Sequence, residues 1–329
     1  MLSKVKETII KYDLIKPKDK ILLGVSGGPD STAMLVCLNE LSKEMNFEII
    51  VCHINHGIRE NAILDEKYVR EFCENLNIPF FVLHANVIEE AKRQKRGIEE
   101  TGRIIRYNFF EKIMEKENCN KIAIAHNKMD NVETIIMNAL RGSGISGIKG
   151  IDVKSSKYIR PLIEVSREEI EEFTKRYNPR LDETNYENKY TRNKIRNIVI
   201  PYIKKEFNPN IVETITRLSC ILREENEYLD KIIKKSYEII CVEEVYNEEN
   251  LLTIILDSRA FNLEDIYIRK KIILYSIKKI FGSTKGIEKI HIDDIIKLCK
   301  KGIGNKFLTP NKNTKIVIKN KKIYIMSVK

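Results

Sequence analysis

The chain has 329 residues, of which 43% are hydrophobic and 32% are charged, and it carries a net charge of +11. This length allows two domains with a substantial core, and the longest apolar runs fall well short of the ~20 residues that a membrane-spanning helix needs. The first residues alternate charged and apolar side chains without the apolar core of a signal peptide, so we expect a cytosolic protein that does not enter a membrane.

The first half of the chain alternates short β-like runs with segments of helical periodicity. Such alternation is typical of right-handed βαβ units, which build a parallel sheet with helices on both faces. Ligands of such α/β folds gather beyond the carboxyl ends of the strands. The apolar runs that predict strands are Ile21–Val25, Phe47–Ile54, Pro79–Leu83, Ile122–Ala125 and a weaker one at Tyr158–Leu162.

The second half is predominantly helical before it turns into a smaller mixed unit. Helices are predicted over 166–177, 194–206 and 211–240, and the last of these is long and amphipathic. A strand at Leu251–Leu256 and two near the end, at Lys315–Lys319 and Ile323–Met326, enclose further helices. We therefore divide the chain into an N-terminal α/β domain at 1–205, a helical spacer at 206–240 and a small α+β domain at 241–329.

Basic residues concentrate at the end of the chain. From Ile295 to Lys329 there are ten lysines and no acidic residue, so this segment supplies nearly all of the net charge. A localised basic surface favours a polyanionic partner. The alternative is a compositional bias, since lysine, isoleucine and asparagine are abundant throughout.

The seven cysteines are scattered and form no CxxC pair. A disulfide framework or a cysteine-based metal site is therefore disfavoured, and buried thiols are the simpler interpretation.

The stretch LLGVSGGPDSTAML, residues 22–35, joins the first predicted strand to a helix. Its glycines allow backbone N–H groups to approach a ligand closely, and a helix that starts near Ser31 offers unpaired N–H groups to an anion. Ser26, Ser31 and Thr32 add hydroxyl donors. The alternative is an ordinary turn in which Asp30 or Ser31 is the helix N-cap.

The SGGPDS loop resembles the signature of the N-type ATP pyrophosphatases, whose members cleave ATP between the α- and β-phosphates. This resemblance implies an adenine nucleotide alpha hydrolase-like, Rossmann-like fold and the use of ATP and Mg²⁺. The carboxylate in the loop then makes sense as a ligand of Mg²⁺ beside the pyrophosphate. The residues that it assigns to ATP are Ser26, Gly27, Gly28, Pro29, Asp30 and Ser31, with Asp30 also as metal ligand.

Further motifs in order along residues 16–210 resemble the tRNA(Ile)-lysidine synthetase family. They are HINHGIRENA (53–62), EETGRIIRYNFF (99–110), AHNKMDNVET (125–134), RGSGISGIKG (141–150), IRPL (159–162) and DETNYENKYTRNKIRNIVIP (182–201). The resemblance implies that ATP adenylates the C2 oxygen of the wobble cytidine in a tRNA(Ile) with a CAU anticodon. Free L-lysine then displaces AMP, and the product reads AUA instead of AUG.

Within these motifs, Arg106 and Asp130 are the further catalytic candidates beside Asp30. Arg106 would neutralise charge on the α-phosphate, although it also fits a surface arginine. Asp130 would hold the ε-ammonium of lysine and help to deprotonate it. On spacing alone Asp130 also fits a helix N-cap with Glu133 completing a capping box. Where the family usually has DDQ, this chain has Met129–Asp130–Asn131, which leaves Asp130 as the one aspartate of that motif.

Three histidines follow predicted strands and are expected to face one cleft. We assign His53 and His126 to ATP, with polar residues at strand ends as the alternative. Metal binding by His53 and His56 is disfavoured because no third ligand stands nearby.

Arg192, Asn193 and Arg196 place several donors beside a helix start, which suits tRNA phosphates or an extruded base. A solvated basic face is an equal alternative. Tyr186 and Tyr190 are candidates for base stacking, or for packing.

The resemblance weakens after residue 210, to a helical spacer and one small domain that would bind tRNA. The second C-terminal domain of longer members is expected to be absent, as a natural feature or through truncation. Two alternatives to a lysidine-forming ligase stay open: a tRNA 2-thiolase of the same superfamily, and a non-catalytic RNA-binding relative. The sequence leaves the oligomeric state undetermined, with a homodimer among the options.

Overall fold

A computed structural model of the chain describes residues 1–57, 62–180, 191–247, 251–284, 286–301 and 306–328. These residues separate into two compact units, Met1–Arg223 and Glu224–Lys329. The division falls inside a long helix, between the boundaries that the sequence predicts at residues 205 and 240.

The first unit is built on a parallel sheet of five strands in the spatial order β3-β2-β1-β4-β5. The predicted α/β fold with a Rossmann-like parallel sheet is therefore confirmed. In this order the chain runs outward from β1 in one direction and then returns to place β4 on its other side, so β1 and β4 form the topological switch point. The strands are β1 (Lys20–Gly24), β2 (Glu48–Asn55), β3 (Phe80–His84), β4 (Lys121–Ala123) and β5 (Tyr158–Ile159).

The helices of the first unit include those that pack on the two faces of this sheet, and the last of them, α11, continues into the second unit. They are α1 (Leu2–Lys11), α2 (Pro29–Met45), α3 (Ala62–Asn75), α4 (Val87–Gln94), α5 (Ile98–Lys116), α6 (Lys128–Leu140), α7 (Ile145–Ile148), α8 (Arg167–Thr174), α9 (Thr191–Lys194), α10 (Ile200–Glu206) and α11 (Ile211–Ile240). A single π-helical turn, Ile195–Val199, joins α9 to α10.

The central strand shows why its sequence is an uninterrupted apolar run. Successive side chains of a strand point to opposite faces, and in β1 both faces are buried. Ile21 and Leu23 pack into a core with α1, α2 and α8, whereas Leu22 packs into a second core with Phe109 and Phe110 of α5. The strand is thereby fixed between two helical layers, and the loop that follows it is held at the sheet edge.

The second unit is an antiparallel sheet in the order β6-β7-β10-β9-β8, covered on one face by helices. The predicted strands at 251–256, 315–319 and 323–326 are present, whereas β6 and β8 had no prediction. Both missed strands lie at the edges of the sheet, where a strand pairs with one neighbour only. The elements are β6 (Cys241–Tyr246), β7 (Leu252–Asp257), α12 (Ser258–Leu263), α13 (Ile266–Phe281), α14 (Lys289–Lys301), β8 (Lys306–Asn311), β9 (Thr314–Lys319) and β10 (Lys322–Ser327).

Within the described residues, each helix is too short or too polar to cross a lipid bilayer.

Candidate active site

The loop between β1 and α2 arranges its backbone through one serine side chain. The N–H groups of Ser26 and Gly27 both donate to Oγ of Ser31 over 3.1 Å, and that hydroxyl donates to the carbonyl of Gly28. Gly27 has a φ of +91°, which a residue with a side chain adopts only with strain. Ser31 thus maintains the shape of the loop, and its predicted contact with ATP stays a prediction.

Helix α2 begins at this loop with Gly28 as its N-cap and Pro29 as its first residue. The alternative in which Asp30 or Ser31 is the N-cap is therefore wrong. Proline fits the first helical position because its missing N–H would be unpaired there in any case. The helix directs its N-terminus, with the positive end of its dipole, toward the sheet edge where an anion would bind.

Asp30 lies in the first turn of α2 and is held by a residue from the other side of the switch point. Its Oδ1 accepts a hydrogen bond of 2.7 Å from Nδ2 of Asn127, which follows β4. Burial, and secondly the neighbouring carboxylate of Asp130, raises the pKa of Asp30 to about 6. Two acidic side chains from different loops are thus close enough to repel each other.

The start of α6 brings Asp130 into position through a capping box. Asn127 is the N-cap; its Oδ1 accepts from the N–H of Asp130, and the N–H of Asn127 donates to Oδ2 of Asp130, both over 3.0 Å. The alternative in which Asp130 is the N-cap and Glu133 completes the box is therefore wrong. The N-cap is Asn127, one turn earlier, and Asp130 completes the box. The box fixes the Asp130 carboxylate at the carboxyl end of β4.

Glu133 lies one turn further along α6 and is completely buried. The Nε atom of Arg192 donates to one of its carboxylate oxygens over 2.6 Å, and the Nε atom of Arg196 donates to the other. Both arginines also reach Oδ1 of Asp130 over 3.1 Å. A buried carboxylate needs such compensation, so Glu133 anchors the two arginines that the sequence assigns to tRNA.

Basic side chains form the opposite side of the same edge. The distance between Nη2 of Arg106 in α5 and Nε2 of His56 is 3.4 Å. Arg103 lies one turn earlier in α5, with its guanidinium over the ring of Tyr107. Their location beyond the ends of β2 and β4 suits an anionic ligand such as the phosphates of a nucleotide.

His126 lies three residues beyond the end of β4 and contacts an arginine that had no predicted role. Nε of Arg160 donates to Nδ1 of His126 over 3.0 Å. Burial lowers the pKa of His126 to about 4. The charge of Asp130 opposes this shift, and the charge of Arg160 adds to it. The ring is therefore neutral at neutral pH.

His53 differs from the expectation because it lies within β2 rather than after it, and it is only 3% exposed. Its Nδ1 is 2.9 Å from the carbonyl oxygen of Val25, at the start of the loop between β1 and α2. Burial lowers the pKa of His53. The ring thus contacts the backbone of this loop, and the predicted contact of His53 with ATP stays a prediction.

The carboxylates beside the loop are suitable ligands for Mg²⁺. In the part of the chain that the structure describes, no three His, Cys, Asp or Glu side chains converge on one point. A nucleotide-bound Mg²⁺ needs only one or two carboxylates, because phosphate oxygens and water complete its shell. Asp30, with Asp130 beside it, has the raised pKa expected of a carboxylate that would gain from a nearby cation, so these residues fit the metal.

A cavity of about 180 Å³ opens beside the first turn of α6. Cations and anions both contribute to its wall, so it has the charges to receive both ends of a small zwitterion. It is lined by Lys128, Met129, Ser166, Arg167, Glu168, Lys204, Pro209, Asn210, Val212 and Glu213.

Most of the candidate residues come together at one edge of the sheet, around the switch point. Asp30, Asp130, Arg192 and Arg196 form a connected set of contacts, whereas Tyr186 and Tyr190 lie outside the described residues. Asn193 stands in α9 between the two arginines.

Sequence reasoning missed Asn127, Arg160 and the burial of Glu133. The Asn-x-x-Asp spacing of a capping box could have indicated Asn127. Arg160 belongs to the IRPL motif, but the motif does not indicate its contact, because its partner lies 34 residues away.

The chain is similar to known proteins over most of its length. The family model of the PP-loop domain matches residues 1–203. The tRNA(Ile)-lysidine synthase of Clostridioides difficile is 42% identical over 319 residues, which are 95% of this chain and 68% of that protein. That of Caldanaerobacter subterraneus subsp. tengcongensis is 41% identical over 313 residues, 94% and 66% of the two proteins. The chain thus spans about two thirds of the length of these curated relatives.

Among solved structures, the U34-tRNA thiolase NcsA from Methanococcus maripaludis, which contains a 4Fe-4S cluster, superposes with a TM-score of 0.56. It is 25% identical in sequence, and the match covers 68% of this chain and 78% of that one. The two proteins share a fold over the matched part.

The identity of 41–42% over nearly the whole chain, together with the PP-loop domain, confirms the family that the ordered motifs indicate. The chain belongs to the tRNA(Ile)-lysidine synthase family of PP-loop proteins.

Proposed function

We propose that this chain is a carbon–nitrogen ligase that attaches free L-lysine to C2 of the wobble cytidine in tRNA(Ile) with a CAU anticodon. ATP is converted to AMP and diphosphate in the process. The observation that carries the proposal is the connection of Asp30 to Asp130 through Asn127, which joins the phosphate loop to the acidic residue of α6. One edge of the sheet then serves both half-reactions.

In the first half-reaction, the C2 oxygen of the cytidine attacks the α-phosphorus of ATP and diphosphate leaves. The loop from Ser26 to Gly28 and the start of α2 would hold the phosphates through backbone N–H groups. When bound, Mg²⁺ would neutralise charge on the departing diphosphate, with Asp30 as its protein ligand. Arg106, on the basic side of the cleft, would counter the negative charge that develops at the α-phosphate.

In the second half-reaction, the ε-amine of lysine attacks C2 and the C2–O bond breaks, so that AMP departs with the oxygen. The amine carries a proton at neutral pH and must lose it first. Asp130 is the candidate to hold this ammonium. Its Oδ1 already accepts from both arginines and its Oδ2 from one backbone N–H, so the described contacts leave an acceptor position on Oδ2.

The cavity beside Met129 supports a place for the other end of the amino acid. Lys128, Arg167 and Lys204 in its wall would attract a carboxylate, and Glu168 would attract an α-ammonium group. Because the cavity adjoins the turn that carries Asp130, one lysine molecule would extend from the cavity toward that carboxylate.

Nothing in the cysteines favours the 2-thiolation alternative. All seven are free, and Cys37, Cys52, Cys73, Cys119 and Cys299 are buried. Burial raises the pKa of Cys37 to about 12, which keeps that thiol protonated and unreactive at neutral pH.

The direct test mixes the protein with Mg²⁺, ATP, labelled lysine and tRNA transcripts. We expect release of AMP and diphosphate, with the label entering a tRNA(Ile) transcript with a CAU anticodon. A transcript with a GAU anticodon is the matched control and should stay unlabelled. Diphosphate release without lysine incorporation would reject the proposal.

A further inference from the structure

Arg160 makes the contact that decides where the proton of His126 resides. A guanidinium group has only N–H donors and stays protonated in proteins. Because Nε of Arg160 donates to Nδ1 of His126 over 3.0 Å, that ring nitrogen must carry the lone pair. A neutral imidazole has one N–H, so the proton lies on Nε2.

The position of Arg160 is itself determined by the backbone around it. Its Nη1 donates to the carbonyl of Asp152 over 2.6 Å, and its own N–H donates to the carbonyl of Val153 over 3.0 Å. The guanidinium therefore reaches His126 from a fixed base directly after β5.

The charges around His126 come from four elements. Asp130 of α6 favours protonation of the ring, whereas Arg160 after β5, Arg192 of α9 and Arg103 of α5 oppose it. Burial opposes it most strongly and brings the pKa of His126 to about 4. The neutral ring that the Arg160 contact requires is thus also the form that the surroundings favour.

We propose that Arg160 is a positioning residue that keeps His126 as the neutral tautomer protonated on Nε2, so that His126 donates a hydrogen bond to the phosphates of the bound nucleotide. The inference rests on the proposed function for the identity of the ligand. It has a mechanistic consequence: His126 cannot take the proton of the lysine ammonium, because Nδ1 faces Arg160 and Nε2 already carries hydrogen. Proton removal then falls to a carboxylate.

His53 provides an internal reference with the opposite pattern. Its Nδ1 lies 2.9 Å from the carbonyl oxygen of Val25, and a carbonyl oxygen can only accept. The neutral ring of His53 therefore carries its proton on Nδ1. The two histidines are held in opposite tautomers, each by a partner whose role is unambiguous.

The test is long-range ¹H–¹⁵N correlation NMR of the full ¹⁵N-labelled chain at pH 7, without ligands. Five histidines contribute signals, and the variants His126→Gln and His53→Gln assign the two of interest. We expect a protonated Nε2 and a bare Nδ1 for His126, and the reverse for His53. A protonated Nδ1 on His126, or a doubly protonated ring, overturns the inference.

The Arg160→Met variant tests whether Arg160 is the cause. Removing the cation should raise the protonation constant of His126 by about tenfold, since a charged donor no longer faces Nδ1. The His53 signals should stay unchanged and report that the fold is intact. If His126 in this folded variant titrates as in the parent protein, Arg160 has no positioning role.

Addition of Mg²⁺ and ATP tests the contact with the nucleotide. We expect the Nε2 proton of His126 to shift, and the shift to be abolished in Arg160→Met. If ATP binding shifts the loop amides of Gly27 and Gly28 but leaves His126 unchanged, the donor role is rejected. The ligand-free spectra do not depend on lysine transfer, so failure of this inference is distinguishable from failure of the proposed function.

Discussion

The side-chain amide of Asn127 donates to Oδ1 of Asp30 over 2.7 Å and thereby joins the loops after β4 and β1. The same side chain caps α6 and accepts from the N–H of Asp130. One asparagine thus sets the spacing between the two carboxylates on which the proposed chemistry depends.

Replacement of Asn127 separates its two roles. Asn127→Ala removes both the cap and the donor to Asp30, whereas Asn127→Ser keeps a good N-cap but loses the donor. We expect Asn127→Ala to lower the free energy of unfolding by about 1 kcal/mol relative to Asn127→Ser. Both variants should lose adenylation activity, which is measured as diphosphate release. Full activity in Asn127→Ser would show that the bond to Asp30 is dispensable.

The Asp30→Asn variant should be less active than the wild type and more stable at pH 7. Loss of the carboxylate should reduce diphosphate release by at least roughly a hundredfold, while the isosteric amide retains an oxygen for Asn127. Since the pKa of Asp30 is raised from 3.8 to about 6, the folded protein binds this proton more tightly than the unfolded chain. The wild type is therefore destabilised above pH 6, and this effect disappears as the pH falls below 4.

The stability of Asp30→Asn should accordingly exceed that of the wild type at pH 7 and approach it at pH 4. Urea unfolding at the two values checks the sign, and diphosphate release checks the activity. Near-normal activity of the variant would refute the role of the carboxylate.

Replacement by alanine should have different effects at Gly27 and at Gly28, the two adjacent glycines of the loop. A Cβ on Gly28 would lie 3.7 Å from Oγ of Ser26, with nothing closer, so Gly28→Ala should fold normally. The methyl group would occupy space above the loop, and we expect ATP affinity to fall about tenfold or more. Gly27→Ala should instead destabilise the first unit by about 1 kcal/mol or more, because φ is +91° there.

Thermal unfolding and nucleotide titration distinguish these two outcomes. If Gly28→Ala binds ATP as tightly as the wild type, the phosphates do not lie over this part of the loop.

Glu133→Gln should strongly destabilise the first unit. The substitution leaves Arg192 and Arg196 without the buried negative charge that now receives one Nε from each. We expect a loss of about 3 kcal/mol in the free energy of unfolding. The control is Glu171→Gln, which removes a carboxylate that is 52% exposed and pairs with Arg167, itself 37% exposed; its cost should stay below about 1 kcal/mol. Equal effects of the two substitutions in urea unfolding would contradict this account.

The lysines on the sheet of the second unit should contribute to tRNA affinity through charge alone. Lys315, Lys319 and Lys322 lie on the face opposite the buried residues of β9 and β10. Replacing all three by alanine should make the dependence of log affinity on log salt shallower, by about 0.9 for each phosphate that a lysine no longer neutralises.

A charge-matched variant with Lys6, Lys43 and Lys67 replaced, outside the basic segment, controls for net charge. Filter binding of tRNA over a salt series measures both slopes. If the two variants change the slope equally, or if wild-type affinity does not depend on salt, the role of the basic segment is refuted.

The fold was largely predictable because its signals are local. The apolar runs at 21–25 and 47–54 are buried on both faces, and such strands are recognisable without knowledge of their neighbours. The edge strands β6 and β8 were missed because their residues are partly exposed, and pairing with one neighbour determines them more than their own pattern does.

The site was only partly predictable, because part of it depends on contacts between residues that are far apart in the sequence. Asp30 and Asp130 stand out in the sequence because each follows a strand, and parallel strands place such positions at one edge. Their mutual repulsion and their connection through Asn127 depend on distances between loops 97 residues apart. Arg192 and Arg196 look like free basic residues in the sequence, and only the fold reveals that buried Glu133 holds them.

The sequence by itself determined the positions of the strands of the first sheet, the SGGPDS loop after the first of them and the family, because those depend on neighbouring residues and on motif order. Only the tertiary structure decided the charge and proton state of the site. The pKa of Asp30 and the tautomer of His126 depend on burial and on groups from other elements, Asp130 and Arg160, and the electrostatic field at a side chain is set by distance in space rather than along the chain.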